Sequence, residues 1–153
     1  MRTKSISLAV ATFFLLSTAV PLSSQNAPRQ TSEADHTRHS VAINLLRAIN
    51  TAEVSYKMTH GSYLTWDALL AGEQFHGSRV IAGLAHFDPE LANAEFSTSS
   101  EVLPGWSLRL NLTANGEGYD VMLQDMTGKP CGYAAITDER GVIWQSKTID
   151  CEI

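Results

Sequence analysis

The chain has 153 residues, enough for one domain of ordinary size. Hydrophobic residues make up 44% and charged residues 18%, a globular composition that excludes collagen, coiled-coil, repeat-array and multi-pass membrane architectures. With 11 Lys+Arg against 16 Asp+Glu the formal net charge is −5, and no basic cluster exists. That balance argues against nucleic acid or an anionic membrane surface as partner.

The first segment reads as an address. Arg2 and Lys4 form a basic start, and Ile6 to Leu16 is almost continuously apolar. Ser17-Thr18-Ala19 follows as a small-x-small pattern, then Val20-Pro21. This is the layout of a secretory signal peptide over residues 1–27, with cleavage between 19 and 27. The apolar run is short for a membrane span, which takes about 20 residues; the alternative is an uncleaved N-terminal anchor. An exported chain, periplasmic or extracellular, is the expectation. Removing Arg2 and Lys4 leaves 9 basic against 16 acidic residues, so the mature chain would be more acidic still.

Residues 28–32 read as a flexible lead-in, and 33–153 as a single domain. From Glu33 to about His60 the pattern is helical. Val41, Leu45, Ile49, Ala52 and Tyr56 recur at a period near 3.6, widened by Leu46. Arg38, Arg47, Asn50, Glu53 and Lys57 fall mostly off that stripe and read as its wet side. Thr31 or Ser32 caps the start, and Gly61 ends the helix as a C′ residue. Thr65 caps a short helical turn from Trp66 to Leu70, residues 72–86 read as irregular, and Asp88-Pro89 starts a second small helix. Residues 93–105 read as loop.

The last third reads as strands. Trp106, Leu108, Leu110 and Leu112 alternate with Ser107, Arg109 and Asn111. A turn at Ala114–Gly118 leads into a second alternating run, Tyr119 to Met126. Thr127–Pro130 turns again, Cys131 to Thr137 is a third strand, and Asp138–Gly141 leads to a fourth at Val142 to Ser146. Short turns make these antiparallel neighbours. The expected fold is α+β: a long N-terminal amphipathic helix packed on a roughly four-stranded antiparallel sheet.

Cys131 and Cys151 are an even pair in an exported chain, so a disulfide is the default reading. It would close a loop of about 20 residues and contribute roughly 3 kcal/mol. Two free thiols are the alternative.

The helix Ala42 to Tyr56, then Gly61-Ser62-Tyr63 and Trp66-Asp67-Ala68-Leu69, resembles the type IV pilin-like and type II secretion pseudopilin families of bacteria. The likeness continues in Phe87-Asp88-Pro89-Glu90-Leu91-Ala92, in Gly105-Trp106, and in Thr137 to Ile143. It spans about Ser40 to Trp144. It implies a helix packed on an antiparallel sheet, and the placement of Cys131 and Cys151 is similar to the C-terminal disulfide of many pilins. One departure stands out. A pilin has a Glu-bearing apolar helix that forms its polymerisation stalk, but Ile6 to Val20 carries no acid, and Pro21 and Pro28 interrupt any continuous rod. The resemblance is therefore to a soluble, signal-peptide-bearing variant.

Little in the sequence points to catalysis. There is no Gly-x-Ser-x-Gly elbow, phosphate loop, HExxH or Cys-x-x-Cys. His36 and His39 share a helix face, but no third or fourth metal ligand stands beside them. Asp88, Asp120, Asp125 and Asp138 lack the calcium-loop ladder and suit turns better. No catalytic residue, metal site or cofactor is expected. Trp66, Trp106 and Trp144, with Tyr56, Tyr63, Tyr119 and Tyr133, read mostly as core, and any that face outward would make a partner-binding patch; for Tyr63 and Trp66, in a loop region, both readings stay open. Tyr63, Trp66, His76 and His86 are the candidate partner or ligand contacts. The expectation is an exported, non-catalytic protein acting through protein contacts, accessory to a type IV pilus or a type II secretion system. The alternative is an exported carbohydrate- or small-ligand-binding module, with those four residues lining a concave site.

Overall fold

The computed structural model of the chain describes residues 33–128 and 132–147. The signal-peptide reading, the Thr31/Ser32 cap and the Cys131–Cys151 bridge lie outside the described residues. Among these residues no helix is long and apolar enough to cross a membrane.

The fold is α+β. Helix α1 (Glu33–His60) comes first. Three short helical pieces follow, α2 (Trp66–Ala71), α3 (Gly77–Ala85) and a 3₁₀ turn (Pro89–Asn93). The sheet then runs through β1 (Glu101–Leu103), β2 (Trp106–Leu112), β3 (Tyr119–Asp125), β4 (Tyr133–Asp138) and β5 (Ile143–Lys147). Each strand pairs antiparallel with the next, in the order β1-β2-β3-β4-β5. The expected four strands are thus five.

Two sequence expectations change for identifiable reasons. Residues 72–86, read as irregular because of three glycines, contain α3. Val80, Ile81 and Leu84 lie at helical spacing, with Ile81 and Leu84 buried. Their burial outweighs the weak helix propensity of Gly77 and Gly83. Residues 93–105, read as loop, contain β1. It has three residues, and its register shifts between Glu101 and Leu103, so Val102 and Leu103 are both buried and no alternation is left to read.

Helix α1 lies over one face of the sheet. Its stripe Val41, Leu45, Leu46, Ile49 and Ala52 is buried against Trp106, Leu108, Tyr119, Val121, Leu123, Tyr133 and Ala135. The α2–α3 region closes one flank with an aromatic cluster. Trp66 meets Phe75 and Phe96 edge-on, and its indole N–H donates to the Ser97 carbonyl at 2.9 Å. Thr65 caps α2 by accepting from the Ala68 amide, and Asp88 caps the 3₁₀ turn by accepting from the Glu90 amide.

Polar contacts fix where α1 sits. Near its start, Arg38 donates from Nε to Asp125 Oδ2 at 2.6 Å and from Nη2 to Asp125 Oδ1 at 2.9 Å. Nη2 also reaches the Gly105 carbonyl at 3.1 Å, and the guanidinium lies 4.7 Å from the centre of the Trp106 ring. Gly105 has a φ of +73°, and a Cβ there would approach the Arg38 Nη2 to 3.2 Å. The positive φ favours glycine, and a side chain there would crowd the Arg38 guanidinium. Three turns on, Asn50 donates to the Thr137 hydroxyl at 2.9 Å and accepts from the Tyr119 hydroxyl at 2.8 Å. Gly61, at φ +83°, closes α1 with its amide on the Lys57 carbonyl.

Candidate functional site

The strands alternate, so each residue that faces α1 has neighbours that face away. The outward residues fall in register. Arg109 on β2 pairs with Met122 on β3, Met122 with Ile136 on β4, and Ile136 with Trp144 on β5. This puts three large apolar side chains and one arginine in a row across four strands. Met122 and Ile136 are half-buried by their neighbours, and Trp144 is 43% exposed. Val142, 50% exposed, extends the apolar end just before β5. Ser107, Gln124, Ala134 and Ser146 form the adjacent row.

The two arginines on this side differ. Arg140 is held by Asp138, with hydrogen bonds from Nε and Nη2 to Oδ2, and packs 5.3 Å from the Trp144 ring centre. That contact holds the Asp138 carboxyl below the usual carboxylate range. Arg109 is exposed and makes no ion pair among the described residues. The face therefore offers apolar surface with an unneutralised cation at its β2 end, on a chain whose net charge is −5. Trp144, read from sequence as mostly core, is corrected to a surface residue. β5 sits at the margin of the helix-covered face, so its alternation leaves the outward Trp144 in solvent.

The candidate contact residues are not gathered into one site. Trp66 is 7% exposed and belongs to the core. Tyr63 is half-buried, edge-on to Tyr119 and beneath the Lys57 ammonium, 4.7 Å from the ring centre. His76 is exposed at the start of α3, and His86 is exposed at its end beside Phe87. His36 is exposed, whereas His39 stacks on Tyr133 at 3.9 Å. His60 stacks on Tyr56. Among the described residues no three His, Cys, Asp or Glu side chains come together as metal ligands. The four aspartates are each engaged separately: Asp88 caps, Asp120 accepts from Asn111, Asp125 binds Arg38 of α1 and Thr127, and Asp138 binds Arg140. Burial works against the charge of Asp125, but the bonds from Arg38 and Thr127 outweigh it and hold the carboxyl below its ordinary range.

Glu53 corrects the reading of α1. Expected off the apolar stripe, on the wet side, it is fully buried. It follows Ile49 by four residues, so it lies on the buried stripe by spacing. Oε2 accepts from the Leu64 amide at 3.0 Å. Oε1 is buried with no hydrogen-bond partner. Burial dominates its ionisation and the Leu64 amide opposes it weakly, so its pKa is pushed up from 4.5 to about 7. The spacing signal was available; the carboxylate's hydrophilicity masked it.

Searches of protein-family models, of curated proteins and of solved structures find no match to this chain.

Proposed function

We propose that this chain is an exported, non-catalytic pilin-like module that works by protein–protein contact through the outer face of its sheet. The observation that carries the reading is the Arg109–Met122–Ile136–Trp144 row. Tryptophan and arginine are the residue types that most often anchor protein interfaces. The partner is a protein presenting aliphatic side chains to Met122, Ile136 and Trp144 and a carboxylate to Arg109. The basic, apolar and small-residue order of residues 1–27 supports export. The order of helix, Gly61-Ser62-Tyr63, short helix and antiparallel sheet supports kinship with pilin-like heads. A pilus or a type II secretion machine is accordingly the assembly in which to look for the partner.

A photoreactive amino acid at position 142, beside Trp144, tests this in the cells that make the protein. Position 54, on the solvent side of α1, serves as control. The expected result is a discrete adduct with an exported protein from position 142, absent from position 54 and lost when Trp144→Ala is added. A pilus or secretion component in that adduct supports the accessory role; a different exported protein removes it and keeps the contact surface. Identical adducts from both positions, or none, would contradict the reading.

A further inference from the structure

A buried carboxyl group that no sheet or helix ladder needs is an expensive feature, and Glu53 is placed where its charge has a mechanical consequence. Segment 61–65 joins α1 to α2. Its Tyr63 amide donates to the Gly116 carbonyl at 3.2 Å and its Leu64 amide to Glu53 Oε2 at 3.0 Å. The next residues, Trp66 and Leu69, are buried in the core. Glu53 therefore ties the middle of this segment to α1, while the β2–β3 turn holds it from the other side.

We propose that Glu53 is a pH-sensitive latch, holding segment 61–65 closed while its carboxyl is neutral and releasing it when the carboxyl ionises.

The surroundings give an anion little help. From α1 itself, the Lys57 ammonium is engaged over the Tyr63 ring. From β3, the Tyr119 hydroxyl is turned away to Asn50. From the segment, Tyr63 presents its ring to Tyr119. At the end of β4 and in the following turn, Asp138 and Glu139 add negative charge toward Tyr119, and Arg140 is committed to Asp138. Tyr119 and Tyr63 both have their pKa raised by burial first; Glu53 and then Asp138 and Glu139 add to this at Tyr119, and Glu139 and then Glu53 at Tyr63. No donor stands at Oε1. Ionisation leaves a buried charge with one amide partner, and the nearest relief is for segment 61–65 to lift and admit water. Lifting exposes Tyr63 and uncovers the edge of Trp66, two residues that the sequence marks as contacts. The device is independent of the outer sheet face.

Hydrogen exchange of the whole protein, corrected for the intrinsic pH dependence of exchange, reads the latch directly. With a carboxyl of pKa about 7 when closed and 4.5 when open, protection of the Leu64 amide falls about 40-fold between pH 5 and pH 7 and less than about twofold from pH 7 to pH 8. Glu53→Gln abolishes that dependence. The Val121 and Leu123 amides stay more protected throughout. Flat Leu64 protection in the wild type, or Leu64 moving only in step with Val121 and Leu123, would overturn the proposal. Should Glu53→Gln fail to fold, the side-chain carboxyl carbon of Glu53 in the wild type decides by NMR. A midpoint above about pH 5.5 supports the latch, and one at or below it overturns it.

Discussion

The inner and outer faces of β2–β5 come from the same strands, one residue out of phase. Inward, Trp106, Tyr119, Val121, Leu123 and Ala135 are almost completely buried, because α1 covers them. Outward, Met122 and Ile136 are only half-buried and Trp144 is 43% exposed. The inner face is apolar and covered by α1; the outer face is mostly polar, and its one apolar row is left uncovered. An inner tryptophan contributes to holding the molecule together; an outer one is free to contribute to holding something else.

Trp106 and Trp144 sharpen that contrast. Trp106→Ala should cost about 3–5 kcal/mol in denaturant-monitored stability, because it leaves a cavity beside α1 and strips the Arg38 guanidinium of its ring. Trp144→Ala should cost less than about 1 kcal/mol. Equal losses would mean that the outer face is as structural as the inner one.

The seating of α1 is the next target. Glu53 binds more protons folded than unfolded between its ordinary pKa of 4.5 and its folded value of about 7. Its contribution is therefore fully present below pH 4.5 and is lost as pH rises through 7, by up to about 3 kcal/mol. Glu53→Gln should be more stable than wild type at pH 8 and comparable at pH 4.5, measured by thermal unfolding across that range. Parallel pH curves for the two proteins would refute the buried-carboxyl assignment.

Arg38→Ala should cost less, about 2 kcal/mol at pH 7. It leaves the Asp125 carboxylate, 7% exposed, without its cation, but the Arg38 end is open enough for water to screen it. Asp125 has the opposite sign to Glu53. Its pKa is held below 3.8, so its contribution is present above that value and lost as pH falls below it. The Arg38→Ala deficit should therefore shrink in acid. A deficit that persists unchanged at pH 2 would show that Arg38 acts through its packing on Trp106 rather than through the ion pair.

Much of the fold was legible because one face of each main element is covered. The stripe Val41–Leu45–Ile49–Ala52 and the alternation of Trp106, Leu108 and Leu110 are patterns imposed by burial against a single partner. The parts that resisted reading break that rule. β1 is too short to alternate, and α3 carries two glycines on an otherwise amphipathic turn. Trp144 and Glu53 failed in opposite directions. An aromatic ring, a type that is mostly core, lies outside, whereas a carboxylate, a type that is mostly surface, lies inside. In both cases residue type outweighed position: Glu53 sits four residues after Ile49, and Trp144 pairs with Ile136 on the open side. The outer row itself was invisible, because its members come from four strands whose register only the folded sheet defines.

Oxidative footprinting of Trp144 and Met122 tests the central claim, that the outer face is kept free for a protein partner. The two residues are labelled in the cells that make the protein and in the purified chain, with Met58, 82% exposed on α1, as internal reference. The account predicts that Trp144 and Met122 are protected several-fold in the cells while Met58 labels equally in both. Equal labelling of Trp144 in the cells and in the purified protein would contradict it.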